Sequence, residues 1–237
     1  MSNKLDIEDI KEKVAEKLKP SGWDRILRGF IYSKEFDDII ITLAKQSKDG
    51  KRFTPVLKNW FRAFEECPYE DLKVIIVGQD PYPGLNHADG IAFSLSNSDT
   101  IQPSLEYMFK AINDTVYDGM GVCTDMNLKR WSNQGVLLLN TALTTVIGKV
   151  GQHHIVWQPF MAYLFDWLTW NNNGLVYIYL GKKAEEWSHA VNDNNYKLFA
   201  THPASALYNN LTDWDSNNVF KTANEILKKN YNTEINW

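Results

Sequence analysis

Four short apolar runs, at residues 72–77, 136–139, 175–180 and 198–201, constrain this chain most. Each ends at a turn or polar residue, and the first three are rich in Val, Ile, Leu or Tyr. Such runs suit strands buried on both faces, as in a parallel sheet. Helical spacing separates them. Pro103 fits the first turn of a helix carrying Leu105, Met108, Phe109 and Ile112. Trp157, Phe160, Met161, Leu164, Phe165 and Leu168 mark one face of another, and Ala184, Trp187 and Val191 a shorter one. Phe220, Ala223, Ile226 and Leu227 mark the last, with Asn217 or Asn218 as its cap. Before the first run, the spacing of Leu5, Ile7, Ile10, Val14 and Leu18 predicts a peripheral N-terminal helix within 1–20, and residues 36–44 and 55–64 predict two more. Strands alternating with helices imply an α/β fold: a central four-stranded, mainly parallel sheet flanked by helices on both faces.

No repeat, low-complexity tract or linker interrupts the 237 residues, so one domain, 1–237, is expected. Cys67 and Cys123 form neither a disulfide framework nor a zinc spacing. No apolar run approaches the ~20 residues that span a bilayer, and the charged segment 1–20 lacks a signal-peptide centre. A soluble, cytoplasmic monomer with no membrane contact is expected. The net charge of −4 does not advertise a nucleic-acid binder, but a local basic patch is what matters.

In open parallel sheets, ligands bind beyond the carboxyl ends of the strands. Asp80 follows the first run, Asn140 the second and Gly181-Lys182-Lys183 the third, and His202-Pro203 lies at the end of the fourth. Each has a bland reading as a turn, cap or satisfied structural residue. Their convergence on one rim makes a reactive set. The other histidines are His87, His153, His154 and His189, with no cysteine or paired carboxylate at ligand spacing, so no metal and no cofactor is expected. The adjacent His153 and His154 are read as structural or surface residues. No nucleotide-binding glycine motif is present, and no Ser or Cys partners Asp80 and His202 as a triad nucleophile.

Residues 77–84, VGQDPYPG, resemble the water-activating motif of family 1 uracil-DNA glycosylases, and the match extends through Ala88, Gly90, Phe93 and Ser94. Pro103-Ser104-Leu105 is similar to the family's Pro-rich phosphate loop, and residues 135–145, GVLLLNTALTT, to its uracil-recognition strand. Leu180-Gly181 with Ala184 resembles the Gly-Ser loop, and Thr201-His202-Pro203 the start of the His-Pro-Ser-Pro-Leu loop. The ending, Ile235-Asn236-Trp237, is also similar, and the matches run in family order over about residues 53–237.

The resemblance implies hydrolysis of the N-glycosidic bond between uracil and deoxyribose, with the base flipped out of single- or double-stranded DNA. By position, Asp80 would orient the water and stabilise the sugar cation. A neutral His202 would donate to uracil O2. Asn140 would read O4 and N3, Phe93 would stack on the base, Tyr82 would exclude a 5-methyl group, and Gln79 would lie at the pocket floor. Pro83, Ser104, Gly181, Lys182, Ser205 and Leu207 would meet the DNA. A DNA-mimicking inhibitor protein is a further partner the family implies.

Three departures mark a divergent member. Residues 202–207 read HPASAL, so an ungapped match puts Ala206 at the wedge that props the duplex open. Leu207, in a loop longer by a residue or two, is the expected wedge. Pro83 stands where many members have His, and in the same turn His87 and Asp89 stand where Gln and His are commoner, Asp89 adding a negative charge to a loop expected to face DNA. A catalytically weak homologue, acting as a DNA-binding replication-accessory module, is the competing reading. A changed base preference is the third, opposed by Tyr82 and Asn140.

Overall fold

The computed structural model describes residues 6–96 and 100–237. Leu5, the first residue of the N-terminal helical pattern, lies outside them. The chain opens with helices α1 (Ile7–Leu18), α2 (Asp24–Ile31) and α3 (Lys34–Lys48). A short strand β1 (Phe53–Thr54) and helix α4 (Arg62–Glu66) lead into β2 (Val74–Gly78). Then come α5 (Pro103–Val116), α6 (Lys129–Ser132), β3 (Val136–Asn140), β4 (Thr145–Val146) and α7 (His154–Asn171). The C-terminal part holds β5 (Val176–Leu180), α8 (Lys182–Glu185), β6 (Tyr196–Ala200), α9 (Ser205–Tyr208) and α10 (Val219–Tyr231).

The four expected strands form one sheet in the order β3-β2-β5-β6, and every neighbouring pair is parallel. Side chains alternate across it, as pleating requires. Ile75, Val77, Leu137, Leu139, Tyr177 and Tyr179 pack with α2, α3 and α7. Val74, Ile76, Leu138, Val176, Ile178 and Leu180 pack with α5 and α10. Full burial of each such apolar side chain contributes about 1.5–3 kcal/mol. The parallel arrangement brings all four carboxyl ends to one edge.

Sequence and structure differ where packing overrides local pattern. β6 starts at Tyr196, two residues ahead of its apolar run, because it is an edge strand whose Tyr196 and Phe199 are exposed. The stretch 55–64 is not one helix. It splits into a 3-10 turn, Leu57–Asn59, and α4, because Phe61 leaves helical geometry (φ −103°, ψ 12°) so that Trp60 and Phe61 both reach the core. The 184–191 pattern divides likewise into α8 and a 3-10 turn, Ser188–Ala190. Asn218 stands at the start of α10 in the left-handed region, but its side chain makes no capping bond. Asn217 instead donates from its amide to the Phe199 carbonyl at 3.1 Å. The ribbon of β1 with β4 and the helix α2 were not expected.

The N-terminal helix is anchored. Ala15 and Leu18 are buried, Ile7, Ile10 and Val14 pack against the core, and Lys11 bonds Asp37 at 2.6 Å.

Candidate active site

The site begins where β2 ends. Gly78 pairs in register with Asn140 at the end of β3. A Cβ on Gly78 would stand 2.7 Å from Asn140 Oδ1 and 3.0 Å from the Phe93 ring, so only glycine leaves these side chains their places. The chain then turns through Gln79, Asp80, Pro81 and Tyr82, which form one wall of a cavity of about 50 Å³. Phe93, Ser104, Asn140 and His202 complete it from four other segments.

Asp80 Oδ2 accepts the Gly151 N–H at 2.7 Å. Burial raises its carboxyl above the ordinary value; the Gly151 bond, the neighbouring His154 and contacts from Gln79 and Thr145 oppose the rise. On the far wall, the backbone N–H of Ala204 donates to His202 Nδ1 at 3.2 Å. A neutral ring that accepts at Nδ1 carries its proton on Nε2. Burial lowers the pKa of this ring, which favours the neutral form. Tyr82 donates to the Phe93 carbonyl at 3.3 Å, and burial keeps its phenol protonated. Phe93 lies 6.0 Å from the His202 ring, held by a left-handed backbone (φ 65°). The arrangement offers a carboxylate, an N–H donor, an amide and an aromatic face to one flat ligand.

The remaining expected residues surround this cavity without lining it. Pro83 accepts Gly148 N–H at 2.9 Å. Gly181 lies behind His202, and a Cβ there would come within 3.0 Å of the His202 Cβ. Lys182 is exposed at the start of α8. Ser205 donates its hydroxyl to Thr201 Oγ1 at 3.3 Å. Ala206 is buried at 1% exposure among core residues, whereas Leu207 is 49% and Tyr208 80% exposed.

Two features correct the sequence reading. Asp89 does not face outward: it is 1% exposed, pairs with Arg62 at 2.8 Å, and accepts from Ser94 Oγ at 2.7 Å, Ile91 N–H at 3.1 Å and Ser96. It ties the loop together beneath Phe93. The two adjacent histidines also part company. His153 is structural, with Nδ1 2.9 Å from Thr144 Oγ1 and Nε2 3.2 Å from Gln46 Oε1. His154 sits beside Asp80, close enough for each charge to act on the other. Gly151, Thr141 and His154 escaped sequence reasoning. Only the glycine three residues before His154, with φ +74°, could have hinted at them.

The chain is similar to known proteins over most of its length. The sequence model of the uracil DNA glycosylase superfamily matches residues 64–228. A uracil-DNA glycosylase of Acinetobacter baumannii (strain SDF) is 32% identical over 232 residues, 97% of each chain. One from Borreliella burgdorferi (strain ZS7) is 33% identical over 220 residues, 91% of this chain and 96% of the relative. Among solved structures, mimivirus uracil-DNA glycosylase superposes with a TM-score of 0.83 at 25% identity, covering 94% of this chain and 88% of the other. Its Y322F variant, solved in complex with UGI, superposes with a TM-score of 0.80 at 23% identity over 91% and 87% of the two chains.

Proposed function

The chain belongs to the uracil DNA glycosylase superfamily, and from that premise we propose how its residues divide the work of excising uracil from DNA. It is a monofunctional hydrolase that opens base-excision repair. The bond between uracil N1 and the sugar C1′ breaks, and water adds to C1′. Positive charge develops on the sugar and negative charge on the departing base, so negative charge is needed near one and donors near the other.

The observation that carries the assignment is that Asp80 and His202, from two separate segments, line one small cavity. Asp80 orients the water and stabilises the sugar cation as a carboxylate. His202 presents Nε2–H to uracil O2. Asn140 reads O4 and N3, because one amide supplies both an acceptor and a donor. Phe93 stacks on the base, Gln79 closes the floor, and Tyr82 leaves no space for a methyl group at C5.

Pro83, Ser104, Gly181, Lys182 and Ser205 form the surface that meets the DNA backbone. Leu207 is the wedge, because it is exposed where Ala206 is buried. The same face is the docking site for a DNA-mimicking inhibitor of the UGI type. We further assign a single domain, a monomer and a cytoplasmic location. No helix among the described residues is long and apolar enough to cross a membrane.

The test is excision from oligonucleotides carrying one uracil, single-stranded or paired with guanine, in EDTA. Alkali-labile sites at uracil, abolished by Asp80→Asn, are expected. Intact DNA binding without excision would establish the accessory-module reading instead.

A further inference from the structure

His154, the first residue of α7, holds its two ring nitrogens in different surroundings. Nδ1 lies 3.4 Å from Thr141 Oγ1. That hydroxyl has one proton and gives it to the Gln79 carbonyl at 2.7 Å. Nδ1 is therefore the donor, and in the neutral ring Nε2 is a bare acceptor. Nε2 is buried and has no hydrogen-bond partner among the described residues. A buried acceptor left open costs free energy, and a small donor such as water satisfies it.

Its surroundings indicate which water. Nε2 stands 3.8 Å from the position a Cβ on Gly151 would take. The N–H of that glycine is the 2.7 Å donor to Asp80 Oδ2. Gly151 thus touches both groups: its N–H bonds the carboxylate, and its side-chain-free Cα faces the imidazole at van der Waals range. His154 and Thr141 also line a groove of about 700 Å³, together with Lys183 and Glu186.

We propose that His154 Nε2 accepts the second hydrogen bond of the water that Asp80 orients, which makes His154 a positioning residue for hydrolysis. This rests on the role given to Asp80 above. A water bonded only to a carboxylate rotates about that bond. With both hydrogens engaged, its lone pairs are turned toward the sugar carbon. His154 itself forms and breaks no covalent bond.

The role needs the neutral ring. Burial lowers the ring's proton affinity and Lys183 adds to this, while the carboxylates of Asp80 and Glu186 oppose it. Asp166 and His189 face the same groove. The acceptor is present above the ring's pKa and is lost as pH falls through it.

Single-turnover excision from a single-stranded uracil oligonucleotide, followed across pH for wild type, His154→Asn and His154→Gln, tests this. Asn keeps a group near Nδ1 for Thr141 and removes the Nε2 acceptor; Gln places an oxygen near Nε2. His154→Asn is expected to be about tenfold slower at pH 8, the loss of one modest hydrogen bond, with KM unchanged. His154→Gln should recover most of the rate and lose the histidine limb of the pH profile. Wild-type rate and pH profile in His154→Asn, or equal losses in Asn and Gln with a lowered Tm, would overturn the proposal and leave Asp80 in place. A wild-type protein that does not excise uracil would overturn both.

Discussion

Arg62 Nη1 lies 2.8 Å from Asp89 Oδ2, and this ion pair joins α4 to the loop that carries Phe93. The carboxylate is almost closed to solvent and takes further bonds from Ser94 and Ile91. Removing one partner of such a pair strands a buried charge, at a typical cost of about 3–5 kcal/mol. Arg62 keeps some solvent contact, so Arg62→Ala should fall at the low end, about 3 kcal/mol. Denaturant unfolding measures it. An Arg62→Ala/Asp89→Asn double variant should recover part of the loss.

His202 is assigned as a neutral donor. Its burial lowers the pKa, so the ring stays neutral as pH falls past the ordinary histidine value of about 6.5. Excision should therefore not accelerate when pH is lowered from 8 to 6. His202→Ala should slow single-turnover excision by about 10²–10³, the effect of losing one donor to a developing anion. Uracil binding should weaken far less.

Asp80 acts as a carboxylate. Its pKa is raised by burial, so the active form is lost, as pH falls, above the ordinary carboxylate value of about 3.9. The rate profile should show this acid limb, and Asp80→Asn should lack it. That variant should be slower by about 10²–10⁴ while still binding a uracil strand.

Leu207 and Ala206 should separate cleanly. Leu207→Ala should lower excision from duplex by about tenfold, the worth of roughly one well-packed methylene pair, and leave single strands near wild type. Ala206→Leu should instead overpack the core and lower stability by about 1–3 kcal/mol. A duplex-to-single-strand ratio unchanged by Leu207→Ala would move the wedge to another exposed residue, with Tyr208 first.

Asn140→Asp should gain excision of cytosine at the expense of uracil. A carboxylate accepts from the cytosine amino group and cannot serve uracil's paired acceptor and donor. Competition between uracil- and cytosine-bearing strands would measure the shift.

The sheet and the principal pocket residues were legible because their signals are local. Buried strands appear as continuous apolar runs, and Asp80, Asn140 and His202 lie at or just beyond the ends of such runs. Relations between distant segments were not legible. Asp89 looked like a surface charge because Arg62, 27 positions earlier, carries no local mark of the pairing. The Gly151 N–H meets Asp80 across 71 positions, and His154 looked bland beside an equally bland His153. The start of β6 was missed because one face of an edge strand stays in water, so its pattern is mixed.

The common edge of the sheet has a consequence for how this molecule can vary. Asp80, Asn140, Gly181 and His202 hang from four separate strand ends, each fixed by its neighbours' register. A change in the length of one loop is absorbed in that loop and leaves the roots of the others unmoved. The segment after His202 can thus be remodelled around a buried Ala206 without disturbing the pocket. The same design permits no minimal fragment: Asp80 follows β2 and His202 follows β6, with β5 between them. Peeling the edge strand away removes half of the chemistry at once.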